Sequence, residues 1–229
     1  MVIAIDGPAG SGKSTVAREV ASRLGIHYLD SGAFYRALTL ALYREYQRQS
    51  FNLEFTEWAE TRTSIDLGEI SIQLEFGEGN ENHIFLNGED VSSEIRLPEI
   101  TDKIKYVADK AIFRDFVNNL IRNLAKDHSL AMDGRDIGTI VFPNTPHKFF
   151  LTASPEVRAK RRLDELNSKG IAADYESVYQ DMVKRDYSDE NRKIAPLVRS
   201  KDALLVDTDS LSIKVVIETI LSGVSNVSS

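Results

Sequence analysis

A chain of 229 residues, 42% hydrophobic and 28% charged, can bury one α/β core with a small appended subdomain, and no stretch of it is apolar over a length that would cross a bilayer. The absence of cysteine excludes disulfides, thiolate metal sites and cysteine nucleophiles. A net charge of −7 without a long basic run argues against partners that are nucleic-acid polymers, while arginines gathered at a few spots suit small anions. The chain begins with the apolar run Val2-Ile3-Ala4-Ile5, a short buried strand, which leaves no room for a leader segment, so a cytoplasmic protein is expected. Gly7-Pro8-Ala9-Gly10-Ser11-Gly12-Lys13-Ser14 follows and fits G-x-x-x-x-G-K-[ST], and Ser14 to Leu24 predicts a helix with Val16, Val20, Ala21 and Leu24 on one face. Strand, loop and helix are the context in which backbone N–H groups curl inward around a phosphate and the helix adds its positive end. Lys13 then reaches the β and γ phosphates, and the Ser14 hydroxyl is placed for Mg²⁺.

His27-Tyr28-Leu29-Asp30 predicts a second short strand, with Ser31 as N-cap of a helix into the forties and helical character continuing past Phe51 to about Thr63. Trp58 on that amphipathic stretch is expected to be packing. Alternation in Ile70 to Phe76, a polar turn and His83 to Gly88 predict a β-hairpin, and residues 65–95 form a separate small antiparallel subdomain. Pro98 to Lys126 is expected to be helical, with Ile104, Val107, Ala108, Ala111, Ile112 and Phe116 apolar. Core strands resume at Ser129 to Asp133, Lys148 to Leu151 and Ala203 to Asp207. Helices are expected over Ser154 to Lys169, Asp174 to Tyr187 and Ser210 to Leu221. Alternating parallel-type strands and helices give a doubly wound α/β sheet. The triplet Asn226-Val227-Ser228 matches a glycosylation pattern that is empty in a cytoplasmic protein.

Ligands of open α/β sheets sit at the carboxyl ends of the strands, so Asp133-Gly134-Arg135-Asp136-Ile137-Gly138-Thr139 should emerge near the phosphate loop, with Asp133 able to hold Mg²⁺ through water. Asp30 to Arg36 follows the second strand at the same edge, where Ser31 and the forked donors of Arg36 suit a phosphate. Arg158, Arg161 and Arg162 share one helix face, as do Arg185, Asp189 and Arg192. Each set reads either as an anion site or as a solvated surface with ion pairs of little energetic value. The four histidines have neither ligand spacing nor a partner nucleophile, so they are expected to be structural.

These segments, with Ile5-Asp6-Gly7-Pro8, Leu29 to Arg36, Gly88-Glu89-Asp90-Val91-Ser92, Val141-Phe142-Pro143 and Asn191-Arg192 before Ala195-Pro196-Leu197, share an order and spacing that resembles the bacterial cytidylate kinase family of nucleoside monophosphate kinases, from about Val2 to Leu221. The resemblance implies a P-loop doubly wound parallel sheet flanked by helices as core, residues 1–40 and 127–229, with a helical lid at about 155–190. It also implies a monophosphate-binding region over 41–126 that contains the β insertion. Residues 7–15, that is Gly7 to Ser14 with Thr15, would bind ATP together with Arg158, Arg161 and Arg162 of the lid. Arg36, Arg135 and Ser31 would hold the phosphate of CMP, Arg114 and Asp136 would read cytosine, Arg185 and Asp189 would meet the ribose, and Arg192 would contact phosphate. Catalysis would fall to Lys13, Arg135, Arg158, Arg162 and Arg192, with Mg²⁺ on Ser14 and Asp133. Lys105 departs from the family, standing where a small hydroxyl residue is common, and Phe34 replaces an aliphatic one. The implied activity is phosphoryl transfer from ATP to CMP or dCMP by a monomer, in pyrimidine nucleotide metabolism. Alternatives are a kinase for UMP or AMP and a GTPase-type switch, although neither D-x-x-G nor N-K-x-D occurs in the sequence.

Overall fold

A computed structural model describes residues 1–49 and 53–227. The part of the expected long helix that covers residues 50–52 lies outside them, as does Ser228 of the glycosylation triplet. In chain order the elements are β1 (Val2–Asp6), α1 (Lys13–Leu24), β2 (His27–Asp30), α2 (Ser31–Arg48), α3 (Phe55–Glu60), α4 (Ser64–Leu67), β3 (Ile72–Phe76), β4 (Asn82–Leu86), β5 (Glu89–Asp90), α5 (Pro98–Ala108) and α6 (Ala111–Asp127). They continue with β6 (Leu130–Gly134), a π-helical turn (Ile137–Val141), β7 (His147–Thr152), α7 (Pro155–Ser168), α8 (Tyr175–Asn191), β8 (Leu204–Asp207) and α9 (Ile213–Val227). The chain divides into two compact units, one of residues 1–27 with those from 129 onward, the other Tyr28–His128.

In the first unit the parallel strands β6, β1, β7 and β8 lie side by side in that order. β1 pairs in parallel with β6, Ile5 opposite Asp133, and with β7, Ile5 opposite Phe149. Ile3, Ala4 and Ile5 are fully buried, which is why the strand reads as a continuous apolar run without alternation. α1 buries Val16, Ala17, Val20 and Ala21, and ends at Gly25, whose φ of 64° supplies the left-handed cap. Leu24, expected on the same face, is only partly covered. β8 differs from the buried core strand expected there. It is the sheet edge, with no further strand beyond it among the described residues, and Leu204 and Leu205 stay 45% and 47% exposed. The Ser154 hydroxyl accepts from Val157 N–H at the start of α7, and the Asp174 carboxylate accepts from Ser177 N–H at the start of α8, so both helices begin where a capping side chain is available.

In the second unit the expected long helix is broken. α2 ends at Arg48 with Gln49 extended, and the Tyr46 hydroxyl donates to Leu53 O. A rosette of Tyr43, Tyr46, Phe55 and Trp58 packs α3 against α2, with Tyr46 and Phe55 edge to face at 5.6 Å, so Trp58 is packing as expected. The N-cap of α2 is Asp30 rather than Ser31, which is already the first helical residue. The helix expected from Pro98 to Lys126 is two helices, because Lys110 is extended (φ −113°, ψ 129°) and separates α5 from α6. The antiparallel insertion has three strands, β3-β4-β5, where a two-stranded hairpin was expected, and it buries Ile72, Ile84 and Leu86 while Gln73 and Glu75 face outward. Its Asn82 amide acts as a surrogate peptide for β2, accepting from Asp30 N–H (2.9 Å) and donating to Tyr28 O (2.8 Å).

Candidate active site

In the first unit, the loop from Gly7 to Gly12 joins the carboxyl end of β1 to α1. Gly7 and Gly12 have φ of 147° and 89°, conformations that a side chain disfavours, and a Cβ on Gly7 would fall 2.0 Å from Leu151 O. Lys13 is buried and donates to Pro8 O at 2.5 Å, an acceptor it shares with the Ser11 hydroxyl (3.0 Å). Burial, and after it the Arg135 guanidinium, pushes the Lys13 ammonium well below its ordinary value; Asp133 opposes, Arg185 adds to the push, and Asp6 opposes. Lys13 therefore stands among two guanidinium groups and two carboxylates, an environment that an incoming polyanion would relieve. Ser14 and Thr15 follow it, exposed, at the start of α1.

Asp133 is the last residue but one of β6, opposite Ile5, so its segment leaves the sheet on the same edge as the phosphate loop, as expected from the strand end. Arg135 Nε donates to Asp189 at 2.7 Å, joining this segment to α8. Burial alone would raise the Asp189 carboxyl, but Arg135, with Arg192 and Arg185 behind it, outweighs burial and holds it below the usual range. The acidic–basic set on α8 therefore does form, with one change. Arg192 is the C-cap of α8, outside the helix, and donates to Ala195 O at 2.6 Å while lying 3.8 Å from Asp189.

The three arginines of α7 do not make the single cationic face that their spacing predicts. Arg158 is buried and grips Asp186 of α8 with both ends of its fork (2.9 and 2.5 Å), while also donating to Ala153 O and to Ala9 O of the phosphate loop. Arg161 turns to Thr208, donating to its hydroxyl and carbonyl at 3.0 and 2.6 Å. Arg162 remains on the surface with Glu165 at 2.7 Å. Separate partners remove the mutual repulsion that a shared face would carry.

Three residues outside the expected site hold these elements together. Asp186 anchors Arg158. The buried Thr208 hydroxyl lies 3.3 Å from Ser11 O and 3.1 Å from Thr152 O, tying the phosphate loop to the end of β7. Asp6 ends β1 and accepts from Ile137 N–H (2.9 Å) and Gly138 N–H (2.7 Å), and burial pushes its carboxyl up to about 6 against those two bonds, with Asp136 adding and Lys13 opposing. Only Asp6 leaves a trace in the sequence, as the acid directly before the first loop glycine.

Within the second unit, Ser31 is buried at the start of α2 and Arg36 lies one turn on, its guanidinium 3.7 Å from the Asp30 carboxylate. Arg96, which no motif singles out, approaches the same carboxylate at 3.8 Å. Arg114 is buried in α6, donates to Ala108 O at 2.9 Å and lies over the Tyr35 ring at 5.2 Å. Lys105 lies over the Tyr106 ring at 4.8 Å. Among the described residues no helix is long and apolar enough to cross a membrane, and no three of His, Asp and Glu gather as a metal cage.

A family model described as cytidylate kinase matches residues 3–226. A cytidylate kinase of Clostridium botulinum is 42% identical over 219 residues, 95% of this chain and 94% of that protein. One of Thermosipho melanesiensis is 44% identical over 222 residues, 97% of this chain and 95% of that protein. A solved structure of an uncharacterized protein from Eubacterium ventriosum superposes with a TM-score of 0.54 at 13% identity, covering 99% of this chain and 98% of that one, and shares the fold. With a glycine loop, buried lysine and arginine-bearing helices on one sheet edge, and a family match running almost end to end, the chain belongs to the cytidylate kinase family.

Proposed function

We propose that the chain is a (d)CMP kinase that transfers the γ-phosphoryl group of ATP to the 5′-phosphate of CMP or dCMP. The observation that carries the reading is Lys13, buried at the end of the glycine loop among Arg135, Arg185, Asp133 and Asp6 in a chain of this family. An oxygen of the CMP phosphate attacks the γ phosphorus, and the bond from that phosphorus to the β–γ bridging oxygen breaks, so ADP leaves with the electron pair. A phosphate monoester has a second pKa of about 6, so the acceptor is already anionic near neutral pH and no general base is required. Catalysis then consists of alignment and charge compensation.

In this reading Gly7 to Thr15 bind the triphosphate with Arg158, Arg161 and Arg162. Ser31, Arg36 and Arg135 take the acceptor phosphate, Arg114 and Asp136 the base, Arg185 and Asp189 the sugar, and Arg192 phosphate. Burial, and after it the Arg135 guanidinium, disfavours the Lys13 ammonium where it stands, which supports a role toward the β and γ phosphates. The donor set also suits Mg²⁺, since one hydroxyl (Ser14) and one carboxylate (Asp133, through water) would hold two corners of the octahedral shell, leaving the others to nucleotide phosphates and water. When bound there, Mg²⁺ would neutralise phosphate charge. All assigned residues lie in one chain, so the reading needs no second copy, and a mass by light scattering that is independent of concentration tests this. The functional test is Lys13→Ala: it should fold as wild type by circular dichroism yet lose at least about a thousandfold in CMP-dependent ADP formation, and wild-type turnover in the folded variant would refute the proposal.

A further inference from the structure

We infer that Asp6 is a positioning residue for the acceptor site, its carboxylate fixing the segment that carries Arg135 and Asp136 against the end of the strand that bears the phosphate loop. The inference rests on the function proposed above. The geometry comes from the π-helical turn that follows Asp136. Its carbonyls receive wide bonds, with Val141 N–H donating to Asp136 O at 3.1 Å and Phe142 N–H to Ile137 O at 2.7 Å. The first N–H groups of any helical turn have no partner within it, and here Ile137 and Gly138 find theirs in Asp6, one on each oxygen.

Asp6 and Gly134 are directly paired across β1 and β6, so Arg135 and Asp136 are held on both sides, by the sheet before them and by the Asp6 carboxylate after them. Gly138 fits this junction because it lacks a side chain: a Cβ there would lie 3.3 Å from Asp6 Oδ2 and 3.2 Å from the Lys148 chain, which is itself fixed by Pro143 O and Asp202 at 2.6 Å each. An amide at position 6 offers one acceptor and turns its NH₂ toward the second N–H, so a carboxylate is the group that satisfies both donors. Asp6 accepts its two backbone bonds from Ile137 and Gly138, whereas Lys13, whose charge it also feels, donates to Pro8 O of the phosphate loop.

The experiment compares wild type, Asp6→Asn and Asp6→Ala in two readouts, steady-state kinetics with CMP and ATP varied separately, and amide hydrogen exchange at Ile137 and Gly138. Asp6→Ala should speed exchange at both amides and raise the KM for CMP about tenfold or more, several-fold beyond any rise in the KM for ATP that follows from the lost charge near Lys13; Asp6→Asn, with one acceptor left, should fall between. If Asp6→Ala does not fold, Gly138→Ala presses on the same junction from the other side and should give the same split. A KM for ATP that rises as much as that for CMP, or unchanged exchange at the two amides, overturns the inference. Failure of the functional reading would appear instead as wild-type protein without CMP-dependent ADP formation, with the exchange result still readable.

Discussion

Alanine at Gly7 and at Gly12 is the same chemical change in the same loop, yet the structure sets very different penalties. Gly12 has φ of 89° and no atom within 4 Å of where a Cβ would stand, so Gly12→Ala meets only the backbone preference. That preference costs about 1–2 kcal/mol, partly offset by the narrower unfolded ensemble of alanine, and a net loss of about 1 kcal/mol is expected. At Gly7 the Cβ falls 2.0 Å from Leu151 O, more than an ångström inside the closest normal approach. β1 and β7 pair up to Asp6 and Phe150, so the strands would have to part at the sheet centre. Adding overpacking of about 1–3 kcal/mol to backbone strain of about 1–3 kcal/mol gives roughly 4 kcal/mol for Gly7→Ala. Urea unfolding of both variants beside wild type measures the difference. Equal losses, or a Gly7→Ala loss under about 1 kcal/mol, would refute the placement of the loop against β7.

Arg158→Ala should cost about 3–5 kcal/mol in urea unfolding, because it strands the Asp186 carboxylate and removes donors from Ala9 O and Ala153 O, and a loss under about 1 kcal/mol would contradict the buried pair. Asp6→Asn tests the sign of a titration. The folded carboxyl is raised from 3.8 to about 6, so its favourable contribution is complete below pH 3.8 and is lost as pH rises through 6. Stability of the variant relative to wild type should then rise by up to about 3 kcal/mol between pH 4 and 7, and a pH-independent difference would contradict the burial of an ionisable Asp6. Arg135→Lys keeps the charge but loses the fork that reaches Asp189, so kcat/KM for CMP should fall about tenfold to a hundredfold, and unchanged kinetics would remove Arg135 from the acceptor site.

What the sequence disclosed and what it hid follow from the range of the interactions involved. The phosphate loop is local, since strand, glycines, lysine and helix occupy consecutive residues, and its context held in the structure. So did the parallel strands β1, β6 and β7, whose apolar runs record burial on both faces, whereas the apolar run of β8 lies at the sheet edge with Leu204 and Leu205 nearly half exposed. The break at Lys110 was hidden because a lysine at the N-cap of α6 offers no capping oxygen and does not disrupt a helical pattern, and the turn lies between two amphipathic stretches in similar phase. The grouping of Arg158, Arg161 and Arg162 was misleading for another reason. Helical spacing says which side chains start on one face, whereas the partners that draw them apart, Asp186 and Thr208, are 28 and 47 residues away. Asp6 acts over 131 and 132 residues, and only the three-dimensional pairing of β1 with β6 brings it to Ile137 and Gly138.

The most direct test of the account is ADP formation from Mg-ATP with CMP, dCMP, UMP, AMP, GMP or shikimate supplied singly, against a control without acceptor. The account predicts that CMP and dCMP support turnover far above every other acceptor, with Lys105 in place. A preference for another acceptor, or ADP release that does not depend on an acceptor, would contradict it.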